Sequence, residues 1–331
     1  MRRLFYLYPL FMSEFPHILF GPYGTLLEEI ERLTGTPGLS HPPNILNGPV
    51  YRHAIIETAR AYLAAGATAA TTNTFRARHE LTSLEGRDRY PRIIAGHMDA
   101  LRQAIEGFSG DVRRDIARIV SLGPAQDCYR PDLAPTTAEA RDFHEIQAAT
   151  SARVEAELAW FETVNTSREA LGIALAAKSQ NAPCVISFVL RMDGNLLSGE
   201  NPGDVIREID GATGAYPRGY SFNCCPIEAL PAAFEKCGDR ASRVIAAYPN
   251  ASSRPHDELD GKASTESVLT VRDPHGVARY LAFLAKKHSL KIVGGCCGFT
   301  PGHVAQIVGA VRSDDFQSVL PVTDMGGPGA S

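Results

Sequence analysis

Short apolar runs that end in turn residues alternate along this chain with longer segments whose apolar residues recur at intervals of three and four. The runs predict strands over 17–20, 67–72, 117–122, 158–161, 184–189, 219–223, 243–248 and 291–294. Helical periodicity falls between them, over 50–65, 91–107, 139–156, 167–180, 202–209, 226–237, 273–289 and 301–313. Eight strands, each followed by a helix, predict an α/β fold of the closed (β/α)8 TIM-barrel type. One barrel over 17–313 then accounts for most of the 331 residues, with 1–16 as an N-terminal extension and 314–331 as a flexible tail.

Capping chemistry supports this parse. Ser167 precedes Arg168-Glu169-Ala170, Asp273-Pro274 opens a stripe of Val277, Tyr280, Leu281 and Leu284, and Thr300-Pro301 opens the last helix. Two connections, 31–49 and 250–271, are too long for simple turns. Both follow strands, so they are expected on the face where barrel active sites are built, as lids or substrate walls.

Composition narrows the class of partner. With 33 basic and 37 acidic side chains the formal net charge is -4, and no basic field is available for a phosphate backbone. Nucleic acid is therefore not an expected partner. Arg2-Arg3 and the apolar run after them imitate a signal peptide, but the run stops at Ser13-Glu14 without a small-residue cleavage site. Met12 is a plausible alternative start. No later apolar stretch reaches the ~20 residues that cross a bilayer, so no membrane partner is expected. The 10 histidines show no His-Glu-x-x-His spacing, and Gly21-Pro22-Tyr23-Gly24 is no phosphate loop.

The 7 cysteines change the picture most. An odd number, with two adjacent pairs, makes a poor disulfide framework and fits a reducing compartment, for which the cytoplasm is the expectation. Cys128, Cys184 and Cys237 read as small buried hydrophobes. Cys224-Cys225 closes the sixth strand, and Cys296-Cys297 closes the eighth within Gly294-Gly295-Cys296-Cys297-Gly298. In a parallel barrel these ends share one face, so three thiols can converge there. Successive strand residues point to opposite sides. Cys296 and Cys297 can thus face one point only where the chain turns, and the flanking glycines permit that turn. Between Cys224 and Cys225 geometry alone does not choose. Three thiolates with a fourth position open are the donor set of a catalytic Zn2+ site.

Asn223-Cys224 after an apolar strand, Gly294-Gly295-Cys296-Cys297-Gly298, and Tyr248-Pro249-Asn250 between them resemble the homocysteine S-methyltransferase family. Gly24-Thr25-Leu26, Thr71-Thr72-Asn73-Thr74-Phe75, Gly123-Pro124, Phe161-Glu162-Thr163 and Ser187-Phe188 follow the family in order. The resemblance implies a zinc barrel in which the homocysteine thiolate attacks a methyl group on a cationic donor. It assigns the metal to Cys224, Cys296 and Cys297, leaves Cys225 a bystander, and places Glu162 on the substrate ammonium.

Asn73 ends the second strand, where its amide can bond a substrate carboxylate or brace a neighbouring loop. Tyr23, Phe75, Tyr129 and Phe299 sit at strand ends where an aromatic face would suit a sulfonium or quaternary ammonium, although packing in the core or in a lid is the first reading of each. Glu162 and Asn73 are thus the candidate catalytic residues, and Glu162, Asn73, Tyr23 and Phe75 the candidate substrate-binding ones. The family's first strand ends Asp-Gly-Gly-x-Gly-Thr, whereas this chain reads Phe20-Gly21-Pro22-Tyr23-Gly24-Thr25 and so lacks one amine-binding carboxylate.

The expected reaction is methyl transfer from S-methylmethionine to homocysteine, giving methionine, with S-adenosylmethionine and then betaine as the next donors. Methyltetrahydrofolate is disfavoured because no length remains for a folate domain. Two rival readings accompany it. One is a paralogue methylating a less polar thiol against Phe20 and Pro22. The other is a non-catalytic zinc or redox-sensing barrel.

Overall fold

The computed structural model describes residues 15–35, 48–110, 116–154, 156–252 and 274–313. The extension and tail ends, and most of the two long connections, lie outside these residues. The strands are β1 (His17–Ile18), β2 (Ala69–Thr71), β3 (Ala117–Leu122), β4 (Leu158–Val164), β5 (Cys184–Val189), β6 (Gly219–Asn223), β7 (Val244–Tyr248) and β8 (Ile292–Val293). They hydrogen-bond in the order β1-β8-β7-β6-β5-β4-β3-β2. Every neighbouring pair is parallel. A parallel bridge from Leu19 to Ala69 joins the two ends, so the sheet closes into the barrel.

The surrounding helices are α1 (Tyr23–Thr34), α2 (Pro49–Ala64), α3 (Leu84–Glu106), α4 (Thr137–Arg153), α5 (Ser167–Ser179), α6 (Pro202–Thr213), α7 (Leu230–Cys237), α8 (Pro274–His288) and α9 (Pro301–Arg312). Alternation along the strands sorts side chains into two cores. Leu19, Ala69, Ile119, Leu158, Trp160, Val185, Ala246, Tyr248 and Ile292 fill the barrel. The residues between them, such as Val120, Phe161, Ile186, Phe222 and Val293, pack outward against the helices. Because both faces are covered, the strands read as near-continuous apolar runs, as Cys-Val-Ile-Ser-Phe-Val does in β5.

Besides shifts of a few residues at helix ends, such as α6 running to Thr213 and α7 starting at Leu230, the structure departs from the sequence expectations in five places. Helix α1 was not expected, and its first turn explains why. Its N-cap position is Pro22, with no side-chain cap and no acidic residue in the first turn, so the usual start signals are missing. Helix α3 begins at Leu84, capped by Ser83, whose hydroxyl accepts from Gly86 N–H, and Pro91 lies inside the helix rather than at its start. The cap of α5 is Thr166, not Ser167, its hydroxyl accepting from Glu169 N–H. The first, second and eighth strands are shorter than their apolar runs. Finally, β4 runs on to Val164, so Glu162 lies within the strand. Thr300 does cap α9, with the His303 ring accepting from its backbone N–H.

Candidate metal centre and substrate cavity

Inward parity continues up β4 from Leu158 and Trp160 to Glu162, and up β6 from Ser221 to Asn223. Past that point both strands break the alternation. Thr163 has φ 60° and Cys224 φ 49°, left-handed values that cost a branched or bulky residue roughly 1–2 kcal/mol unless held. What holds Thr163 is Asn223. The fully buried Asn223 Oδ1 accepts from Thr163 N–H at 3.1 Å and from Ser187 Oγ at 2.7 Å, and its Nδ2 donates to Thr163 Oγ1 at 2.9 Å. One amide thus ties the ends of β4, β5 and β6 together beneath the site.

The left-handed turn at Cys224 resolves the choice that strand parity leaves open. It brings the Cys224 thiol to the barrel mouth and sends Cys225, wholly buried, into the outer core beside Ile227 and Leu230. The loop after β8 supplies the other two thiols. Cys296 N–H donates to Pro249 O at 2.7 Å, Ala251 N–H to Cys297 O at 2.9 Å, and Gly298 N–H to Thr25 Oγ1 of α1 at 3.1 Å. Gly295 is required by packing: a Cβ there would lie 1.9 Å from the Phe299 ring. The ligand atoms of Cys224, Cys296 and Cys297 all lie within 4.8 Å of one another, with 2.7 Å between the sulfurs of Cys224 and Cys296. Contacts with its two neighbours, together with burial, push the Cys224 thiol well above its ordinary range.

The thiols open on a cavity of about 580 Å³ at the C-terminal mouth, where barrel active sites are built. Glu162, Asn73, Tyr23, Phe75 and Tyr129 line it too. Burial raises the Glu162 carboxyl to about 7, a shift opposed by its hydrogen bond with Ser121 and reinforced by Cys297. Asn73 Nδ2 donates to the Tyr51 hydroxyl of α2 at 3.0 Å, so the amide braces a neighbouring helix while lining the cavity. Tyr23 lends only its ring, because its hydroxyl donates to Thr71 O at 3.0 Å. One face of Phe75 is taken by the Arg78 guanidinium, 4.8 Å from the ring centroid.

Three further residues singled out in the sequence are placed as follows. Phe299 is 1% exposed and does not line the cavity, because packing against Gly295 draws it into the core. Cys128 is buried, as expected, and also lines the cavity, on the loop held by the Asn165 amide. Phe20 is 2% exposed and stacks on Tyr62 with ring centroids 5.6 Å apart, so it belongs to the packing behind the cavity wall as much as to the wall. Asn223, Thr25 and Arg78 are the site residues that sequence reasoning missed. Only Asn223 and Thr25 carried a signal, as members of motifs whose other residues drew the attention.

A parallel barrel with three convergent thiols at the mouth of a polar cavity defines a class: a barrel whose thiol cluster could hold a metal ion beside a small-molecule pocket. The family described as Homocysteine S-methyltransferase matches residues 17–311, and the chain belongs to it. Among curated relatives, methionine synthase of Mycobacterium tuberculosis is 27% identical over 310 residues, which are 88% of this chain and 24% of that protein. Homocysteine S-methyltransferase 1 of Brassica oleracea is 25% identical over 171 residues, 50% of each chain. The present chain therefore spans half or less of the length of these two relatives. The homocysteine methyltransferase MmuM of Escherichia coli, in its metallated form, superposes with a TM-score of 0.72 at 21% identity, covering 93% of this chain and 100% of that one. That likeness establishes the shared fold. No helix among the described residues is long and apolar enough to cross a membrane.

Proposed function

We propose that this protein transfers a methyl group from a cationic donor, S-methylmethionine foremost, to the thiol of homocysteine, with Zn2+ held by Cys224, Cys296 and Cys297. The observation that carries this reading is the three thiols within 4.8 Å of one another on the wall of the cavity that Glu162 lines. The donor set fits zinc: all three ligand atoms are sulfur, and no fourth protein ligand joins them among the described residues. Three crowded thiols resist ionisation on their own, and a divalent cation is what would let them all ionise. Bound there, zinc supplies acidity, keeping an acceptor thiol in its thiolate form at neutral pH.

The remaining roles fall to the chain itself. Glu162 accepts hydrogen bonds from the acceptor ammonium, and Asn73, braced by Tyr51, presents its amide carbonyl to the bound substrates. The Tyr23 and Tyr129 rings supply apolar, π-rich walls for a methyl-bearing cation. No proton needs to move at the methyl carbon, so no general acid or base is required there. Phe20 favours a second reading, in which the acceptor is a less polar thiol than homocysteine. It stands where the resembling family carries an acid, and its burial against Tyr62 leaves that position without a carboxylate for an ammonium.

The test is metal analysis of protein purified under reducing conditions, followed by methyl-transfer assays from each donor to homocysteine and to simple thiols. About one zinc per chain is expected. Cys296→Ser should lose both metal and activity, while Cys225→Ser should keep both. Metal retained by Cys296→Ser but lost by Cys225→Ser would sink the assignment. Transfer to a simple thiol in preference to homocysteine would favour the second reading.

A further inference from the structure

Arg78 lies in the 3-10 segment Phe75–Thr82 after β2 and lines the cavity, yet it is only 9% exposed. Its Nη1 is buried with no hydrogen-bond partner among the described residues. The surrounding carboxylates do not neutralise it. Glu169 Oε1 is already engaged by Ala125 N–H at 2.6 Å and by the His144 ring at 3.0 Å. Burial lowers the guanidinium's proton affinity, and Arg76 adds to this, while Cys128, Asp127 and Glu169 oppose it without reversing it. A buried guanidinium short of partners is expensive, and the cost falls only when an anion arrives.

The side chain is also held in place. Its guanidinium sits over the Phe75 ring at 4.8 Å, and its Cδ and Nη1 fill the space that a Cβ on Gly123 would enter, at 3.1 Å. Arg76, on the same segment, lines the cavity as well, and Asp127 and Glu28 share that lining. In the closed strand order, β2 stands opposite β6. Arg78 therefore faces the cavity from the side across from Cys224. The thiol cluster and Glu162 anchor an acceptor on the arc of strands from β4 to β8, so of the two reactants' carboxylates the one assigned to Arg78, on the β2 side, is the donor's rather than the acceptor's own.

We propose that Arg78 receives the carboxylate of the methyl donor, so that the donor is a zwitterion bearing a cationic methyl-carrying centre at one end and a carboxylate at the other. The planar guanidinium fork suits a carboxylate bidentately, which a point-charge amine does not. This rests on the methyl-transfer reading above and adds the residue that selects a carboxylate-bearing donor.

Calorimetric titration of the zinc-loaded full chain tests it, with S-methylmethionine and its decarboxylated analogue, 3-aminopropyl dimethylsulfonium, as probes. The unmodified protein should prefer S-methylmethionine by about tenfold or more, the usual scale for hydrogen bonds to a charged group. Arg78→Met should abolish that preference, and Arg78→Lys should keep part of it, with zinc content and melting temperature recorded for each. At saturating homocysteine, Arg78→Met should raise the donor KM by a similar factor and leave the homocysteine KM in place. A preference that survives Arg78→Met, or a rise in the homocysteine KM instead, would overturn the proposal. Arg78-dependent binding without any methyl transfer would keep the proposal's anion site and overturn the reaction; transfer with Arg78-independent binding would do the reverse.

Discussion

Asn223 offers the sharpest test of how the site is supported. Asn223→Ala removes the amide that accepts from Thr163 N–H and Ser187 Oγ and donates to Thr163 Oγ1. Each buried group left without a partner costs about 1–3 kcal/mol. The Thr163 N–H cannot turn elsewhere, whereas the two hydroxyls can rotate toward other acceptors. The expected loss is therefore about 3 kcal/mol, near the low end of the summed cost for three groups. Against a typical stability of ~5–15 kcal/mol this is large.

Urea denaturation at pH 7.5 reads the loss directly, with Ser187→Ala as the single-bond control at about 1 kcal/mol. A second change isolates the strain. Thr163→Gly in the Asn223→Ala background removes the left-handed penalty at φ 60° and should restore about 1 kcal/mol. The acceptor KM should rise in Asn223→Ala, because Glu162 is the residue before the released turn. A loss below about 1 kcal/mol, no more than one ordinary hydrogen bond, would refute the claim that Asn223 holds the mouth together.

Two further outcomes follow from buried groups. The His97 ring has both nitrogens buried without partners among the described residues, and burial, with Arg52 adding, lowers it to about 3. The unfolded chain then binds the extra proton below about 6.5, so stability is complete above that pH and falls toward pH 3, by about 2 kcal/mol at pH 5. Urea midpoints at pH 5.0 and 7.5 should show His97→Met flattening this slope, and equal slopes would count against it. Phe20→Asp, which restores the acid of the resembling family, should lower the melting temperature by 6 °C or so, since losing a buried ring costs about 3 kcal/mol or more at roughly 2 °C per kcal/mol. A melting temperature unchanged within 2 °C would show that the pocket around Tyr62 accepts a carboxylate.

The barrel was legible because its strands are buried on both faces, so each appears as an unbroken apolar run that ends in turn residues. The cysteine cluster was legible for a related reason: parallel topology brings strand ends together whatever their separation in the chain. What stayed hidden depended on single departures from regularity. Alternation predicts opposite sides for Cys224 and its neighbour, and nothing local announces the φ of 49° that decides between them. Helix α1 lacked a cap, and Arg78 sat among other charged residues where only the fold shows that it is buried. For Phe299 nearness to a strand end left core packing and cavity lining both open, and the bare Cα of Gly295 lets the ring turn into the core.

The cysteine loop is fastened to α1 by the bond from Gly298 N–H to Thr25, a contact spanning 273 residues, and the Tyr62 hydroxyl reaches Phe299 O across 237. Contacts of such sequence separation form late, because chain closure must precede them. Cys224 leaves the ribosome 72 residues before Cys296, so its partner thiols do not yet exist when β6 is made. The three thiols can meet once β6, β7 and β8 have paired, and the bond to Thr25 then fastens their loop to the first βα unit. Metal capture by a refolding chain would therefore time the pairing of the last three strands.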